Sequence, residues 1–151
     1  MMAYLLITAA VFWTDFFVKA HMDKKYACKV VHPRFRDKIR LEKYYNKGAA
    51  LNFLAKKPKW MRRIHTVLLA VVAVMYYFLL KTQGKSLAKT GTSLLLGGGL
   101  SNLYDRYAKG HVVDYFHVNA GPAWFRNIIF NLSDFCIFIG AVLAAAGSEQ
   151  P

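Results

Sequence analysis

The sequence has only two cysteines in 151 residues. Cys28 lies in a basic stretch and Cys136 far from it in an apolar one, so they make neither a disulfide framework nor a paired metal motif. The first apolar block lacks a basic leader and carries Asp15 and Lys19 near its end, which speaks for a retained span rather than a cleaved signal peptide. Polar residues are scarce over long tracts. Residues 1 to 18 are apolar except for Thr8, Thr14 and Asp15, residues 64 to 80 (IHTVLLAVVAVMYYFLL) are nearly uninterrupted, and residues 127 to 146 hold only Asn127, Asn131, Ser133 and Asp134 as clearly polar. Between the second and third apolar blocks lies only KTQGKSLAK, too short for a domain.

What is present is apolar mass. A hydrophobic content of 56% exceeds what a soluble domain of 151 residues needs. A membrane span takes roughly 17 to 25 residues. The blocks therefore predict an all-α membrane protein, a single polytopic domain over 1–151 with four transmembrane helices near 1–19, 64–80, 87–105 and 127–146. The third span, LAKTGTSLLLGGGLSNLYD, is the most polar, with Lys89 near one end and Asn102 and Asp105 near the other. Its Gly97, Gly98 and Gly99 suit close approach of a neighbouring helix.

The charge balance, 21 Lys and Arg against 8 acidic residues, would suggest nucleic acid in a soluble protein. Here the basic residues fall almost wholly between the apolar blocks, where they meet anionic lipid headgroups. Membrane lipids are thus expected partners and nucleic acid is not. The extramembrane connection 20–63 carries fourteen Lys and Arg against three acidic residues. Short alternating pieces such as YACKVVH, and Tyr44-Tyr45 before Asn46-Lys47-Gly48, predict a small strand-rich cradle with turns at His32-Pro33 and at 46–48. Lys56, Lys57, Lys59, Arg62 and Arg63, with Trp60 among them, read as the interfacial edge of the second span.

Against this background two carboxylates stand out. Asp114 sits in GHVVDYFHV and Asp134 in FNLSD, opening an otherwise uncharged apolar run. Ionisable groups in membrane-buried segments are costly and point to function. Asp15 and Lys19 are four apart, within reach of an ion pair on one helix face; the alternative is that the pair ends the span and Lys19 snorkels. Asn102, Asp105 and Arg106 share a helical face, and Asn131 and Asp134 repeat the i, i+3 spacing. With four spans, all these clusters fall on one side of the membrane. Two carboxyls in one pocket cannot both ionise cheaply. One then serves as general base on water while the other donates a proton, which is peptide hydrolysis without metal or cofactor. Two other readings compete. His111, Asp114 and His117 could form a zinc site of a metal-dependent membrane hydrolase, although the Val and aromatic residues between them favour extended chain over the helix that would gather them. The chain could also be a non-catalytic four-span protein that binds lipopeptides or relays protons.

The motif series Asp15…Lys19, Asn46-Lys47-Gly48-Ala49-Ala50, Gly98-Gly99-Leu100-Ser101-Asn102-Leu103-Tyr104-Asp105-Arg106, Val112-Val113-Asp114-Tyr115 and Phe130-Asn131-Leu132-Ser133-Asp134 resembles that of the bacterial lipoprotein signal peptidases (signal peptidase II). The resemblance implies a four-helix intramembrane aspartic protease of the bacterial cytoplasmic (inner) membrane, with its site near the extracytoplasmic face. It implies prolipoprotein substrates cut before a diacylglyceryl-modified lipobox cysteine. Asp114 and Asp134 match the catalytic pair; Asn46, Gly48, Asn102, Asp105, Arg106 and Asn131 match residues of the site, and Asp15 and Lys19 a supporting pair. The chain departs from the family pattern at Phe16 (commonly Gln), Leu51 (Phe), Ser101 (Gly) and Ser133 (Ala). The charge rule alone would place the basic 20–63 connection in the cytoplasm, whereas the family places it outside, and the longer motif match decides for outside.

Overall fold

A computed structural model of the chain describes residues 1–48 and 54–149. Its elements are α1 (Met2–Lys25), β1 (Val31–Arg34), β2 (Ile39–Asn46), α2 (Pro58–Lys81), α3 (Ser86–Ala108), β3 (Val112–Val118), the single turn α4 (Ala123–Arg126) and α5 (Leu132–Ser148). Ala49 and Ala50 of the motif series, and the departure at Leu51, lie outside the described residues.

Local chemistry sets the element ends. Pro58 stands in the first turn of α2, where its missing N–H is no loss. α3 begins after Gly84 and Lys85, both in the left-handed region (φ 61° and 50°). Gly110 (φ 79°) follows its end, the reversal that glycine makes at low cost. The apolar tract 127–146 is helical only from Leu132. Asn131 caps α5, its side chain accepting from the Asp134 N–H while the Asp134 carboxylate accepts from the Asn131 N–H. This reciprocal capping box fixes where the helix starts.

α3 is the hub, and three consecutive glycines show why. A Cβ at Gly97 would meet Thr8 and Val11 of α1, one at Gly98 would meet Ser133 and Ile137 of α5, and one at Gly99 would meet Leu69 of α2. Successive residues project about 100° apart around a helix, so each glycine admits a different neighbour to near-backbone contact. Gly91 and Gly140 carry the α3–α5 contact further along, each facing the backbone of the other helix.

The sheet has the order β1-β2-β3, antiparallel throughout. In it Tyr44 pairs with Asp114 and Asn46 with Val112, and the register shifts between Leu41 and Tyr44. The turn expected at His32-Pro33 is not there. Both residues lie in β1, with Pro33 opposite Arg40; β1 is an edge strand, where a missing N–H is tolerated. The reversal comes instead at Phe35, Arg36 and Asp37, all at positive φ, with the Asp37 carboxylate accepting from Arg40 and from Asn119. Phe130 pairs with Phe116, which ties the approach to α5 onto β3.

The fold is mostly helical with one small sheet. Two of the helices, α1 and α2, are long and apolar enough to cross a membrane. Much of their apolar surface faces outward: Trp13, Phe17, Val67, Val71, Met75 and Phe78 are all more than half exposed. Such a band would be costly in water and is what a lipid-facing surface requires. Phe16 joins Phe12, Trp13, Phe17 and Tyr104 in a run of ring contacts on this outer side.

Candidate functional site

The site forms where the last turn of α3 and the first turn of α5 meet β2 and β3. Asp114 comes from β3 and is 2% exposed. Its Oδ1 accepts from Asn131 Nδ2 at 2.7 Å and its Oδ2 from Asn46 Nδ2 at 3.0 Å. Asp134, at the third position of α5, accepts on Oδ1 from Asn102 Nδ2 at 3.0 Å and on Oδ2 from the Asn131 backbone N–H at 2.9 Å. Both carboxylates line one cavity of about 830 Å³, together with Asn46, Asn102 and Arg106.

Three asparagines surround the pair, and each has its amide orientation fixed by a second contact. Asn46 Oδ1 accepts from the Gly48 N–H at 2.9 Å, closing the turn expected at 46–48. Asn131 Oδ1 accepts from the Asp134 N–H at 3.0 Å. Asn102 Oδ1 accepts from the Lys19 ammonium at 2.7 Å, and an ammonium can only donate. Every amide therefore turns its NH2 toward a carboxylate.

Those carboxylates are not equivalent. Burial, and after it the charge of Asp134, pushes the Asp114 carboxyl up to about 7, so below about that pH it holds a proton. Asp134, itself partly buried, sits in the first turn of α5, where the Asn131 backbone N–H and the helix dipole favour negative charge against the cost of that burial.

Arg106 and Gly48 brace the pocket. Arg106 Nη2 donates to the Gly48 carbonyl at 2.6 Å, while its buried Nε has no hydrogen-bond partner among the described residues. Asp105 points the other way. It accepts from the Val113 N–H at 3.2 Å and pairs with Lys109 at 3.0 Å and Lys19 at 3.4 Å, joining α3 to the start of β3. Asp15 and Lys19 do not end a span at its surface: their side chains are 0% and 1% exposed and pair at 2.7 Å. The structure thus gathers Asn46, Asn102, Arg106, Asp114 and Asp134 at the cavity, and sets Gly48, Asp105, Asn131, Asp15 and Lys19 behind it.

His111, Asp114 and His117 are not gathered. Along extended chain, residues three apart face opposite sides. His111 packs its ring on Tyr45 at 4.1 Å, and His117 Nδ1 bonds the Arg126 carbonyl at 2.9 Å, away from Asp114. Among the described residues no three His, Cys, Asp or Glu are placed to hold a metal ion.

Sequence reasoning missed several residues. His65 of α2 lines the cavity, with Nδ1 buried and unpartnered among the described residues. Ile137, Phe138 and Ala141 of α5, with Leu68 of α2, give the cavity an apolar wall; the i, i+1, i+4 spacing on α5 was legible as one face. Tyr115 donates to Asp15 Oδ1 at 3.2 Å and accepts from the Leu132 N–H at 2.8 Å. Burial, then the Asp15 charge, raises the Tyr115 hydroxyl and keeps it a donor.

Residues 7–148 match the family model described as signal peptidase (SPase) II. The chain is 37% identical over 147 residues to the lipoprotein signal peptidase of Pseudomonas paraeruginosa, covering 94% of this chain and 85% of that protein. It is 37% identical over 145 residues to that of Paraburkholderia phytofirmans, covering 93% and 80%. Two solved structures, each described as a bacterial membrane enzyme, superpose with TM-scores of 0.84 and 0.83 at 21% and 24% identity. They cover 98% and 99% of this chain and 88% and 94% of theirs.

Proposed function

The chain belongs to the signal peptidase II family, and from that membership and the geometry of the site we propose that it is an aspartic endopeptidase that removes signal peptides from prolipoproteins. It cuts before the lipobox cysteine that carries diacylglycerol. The observation that carries this reading is the pair itself: two buried carboxylates on one cavity, in unlike environments, each supplied with asparagine N–H donors.

The steps follow from the two environments. Asp134, ionised, takes a proton from water as the water oxygen attacks the scissile carbonyl carbon. Asp114 gives its proton to the carbonyl oxygen, forming a gem-diol. Asp134 then delivers its proton to the leaving nitrogen while Asp114 recovers one from a gem-diol hydroxyl, so the carboxylic acid forms, the C–N bond breaks and the pair returns to its starting state. Arg106 Nε and the asparagine amides are the donors that hold the substrate backbone and the ionised carboxylate in place. The apolar wall of Leu68, Ile137, Phe138 and Ala141 fits acyl chains and signal-peptide side chains.

The setting is a bacterial cytoplasmic membrane crossed four times, by α1, α2, α3 and α5. The sheet and the polar cluster lie at the extracytoplasmic side, and Lys81, Lys85 and Lys89 at the other. α3 is too polar to pass as a span alone, yet its polar groups are buried: Asn102, Asp105 and Arg106 are at most 9% exposed. The test is cleavage of a diacylglyceryl-modified lipopeptide by purified protein in detergent, with Asp114→Asn and Asp134→Asn beside it and with and without chelator. Cleavage abolished by either change and indifferent to chelator is expected. Chelator sensitivity, or binding without cleavage by the unaltered protein, would overturn the reading.

A further inference from the structure

Behind the cavity lies a buried cluster of hydroxyls that the proposed chemistry does not use. Asp15 of α1, fully buried, accepts on Oδ2 from Lys19 at 2.7 Å, from Ser101 Oγ at 2.6 Å and from Ser133 Oγ. Ser101 comes from α3 and Ser133 from α5, and they are 2% and 0% exposed. One carboxylate oxygen thus draws together three helices. Ser101 Oγ has a second role, accepting from the Lys19 ammonium at 3.1 Å.

The cluster reaches the aspartate pair through Lys19 and the amide of Asn102. Lys19 holds Asn102 Oδ1 at 2.7 Å, and the same amide donates to Asp134 Oδ1 at 3.0 Å. An ammonium has three protons. The acceptors offered to this one are Asp15, Asn102 and Ser101, with Asp105 at 3.4 Å as a competitor. If the Asp15 carboxylate were free to turn, Lys19 could follow it or drift to Asp105, and Asn102 would lose the contact that fixes its orientation. Two short hydroxyls filling Asp15 Oδ2 from α3 and α5, with the longer Tyr115 contact on Oδ1 at 3.2 Å, prevent that turn.

We propose that Ser101 and Ser133 are positioning residues for the aspartate pair, holding Asp15 so that Lys19 stays on the Asn102 oxygen and the Asn102 N–H stays on Asp134. The inference rests on Asp114 and Asp134 being the catalytic pair. It makes no use of contact with substrate: neither serine lines the cavity.

The experiment is a double-mutant cycle on turnover of a diacylglyceryl-modified lipopeptide. Ser101→Ala, Ser133→Ala and the double change are made in the unaltered chain and in Asn102→Ala, and kcat, KM, the pH profile and the thermal midpoint are read for each. Losing one such hydrogen bond should lower kcat about threefold to tenfold per serine, with KM within about twofold and the pH profile displaced. In the Asn102→Ala background the serine changes should cost nothing further in kcat, because the route to Asp134 is already cut. Serine effects that persist undiminished in that background, or that only follow a fall in the thermal midpoint, overturn the proposal. So does unchanged kcat in the double serine variant. Asp114→Asn and Asp134→Asn run in the same assay separate the two levels: if these retain turnover the catalytic pair itself is misassigned, and if only they lose it the serine proposal alone fails.

Discussion

Asn131 does two jobs with one amide, and they can be taken apart. Its Oδ1 caps α5 and its Nδ2 donates to Asp114. Asn131→Ala removes both. Loss of a side-chain cap costs about 1 kcal/mol, and loss of a donor to a buried ionisable group about 1.5–3 kcal/mol, so the sum is roughly 2.5–4 kcal/mol. At about 2–4 °C per kcal/mol for a chain of this length, the thermal midpoint should fall by roughly 5–15 °C. Asn131→Ser keeps an oxygen for the Asp134 N–H but cannot reach Asp114, so it should recover about 1 kcal/mol of that loss and none of the lost turnover. The donor also steadies the ionised form of Asp114. Without it, at about 1.4 kcal/mol per pH unit, the basic limb of the rate profile should move up by about one to two units in both variants. The assays are thermal unfolding in detergent and lipopeptide cleavage across pH. If Asn131→Ser restores turnover as well as stability, or if the basic limb does not move, the amide does not govern the proton on Asp114 and the reasoning fails.

Other outcomes follow from the same contacts. Asp114 keeps its proton to about 7 in the fold against an ordinary value of 3.8. Its contribution to stability is therefore fully present below about pH 3.8 and lost as pH rises through about 7; unfolding midpoints should fall over that window, and Asp114→Asn should flatten the slope. Turnover by the unaltered protein should likewise decline above about pH 7 as the shared proton is lost. Lys19→Met leaves Asp15 buried without its cation, while Asp105 keeps Lys109, and should cost about 3–5 kcal/mol in unfolding free energy, whereas Lys109→Met, a partly exposed cation on an Asp105 that keeps Lys19, should cost under about 1 kcal/mol. Gly140→Ala drives a Cβ to 2.6 Å from the Gly91 carbonyl oxygen and should destabilise by about 1–3 kcal/mol through forced separation of α3 and α5, read as a lower thermal midpoint.

The residues that stood out in the sequence did so because a polar group amid apolar neighbours is rare. That contrast led to Asp114, Asp134, Asn102 and Asn131, and alternation led to the strands. The turn at His32-Pro33 failed because proline is as acceptable on a sheet edge as in a turn, and the sequence does not say which strand is the edge. The start of α5 was placed too early because Ile128 to Phe130 are as apolar as the helix after them; only the Asn131–Asp134 cap, itself legible as an i, i+3 pair, marks the boundary. The meeting of Ser101, Ser133 and Tyr115 on Asp15 has no sequence signal. It depends on helix rotations set by Gly97, Gly98 and Gly99, and a hydroxyl in an apolar run looks the same whether it faces a carboxylate or returns to its own backbone, as Thr92 does.

α3 also bears on how the molecule is made. On the four-span reading, this helix carries Lys89 at one end and Asn102, Asp105 and Arg106 at the other, charges that raise the cost of entering lipid alone. Its glycines strip away apolar surface that would offset that cost. Lys19 of α1, emerging earlier from the ribosome, supplies a partner for Asp105, and the faces of α1 and α2 cover two sides of the helix. α5 comes last and closes the third side, bringing Asp134 with it. The order of synthesis thus withholds the second carboxylate until the bundle is assembled, and a chain halted partway into the membrane would be a protease that cannot yet cut.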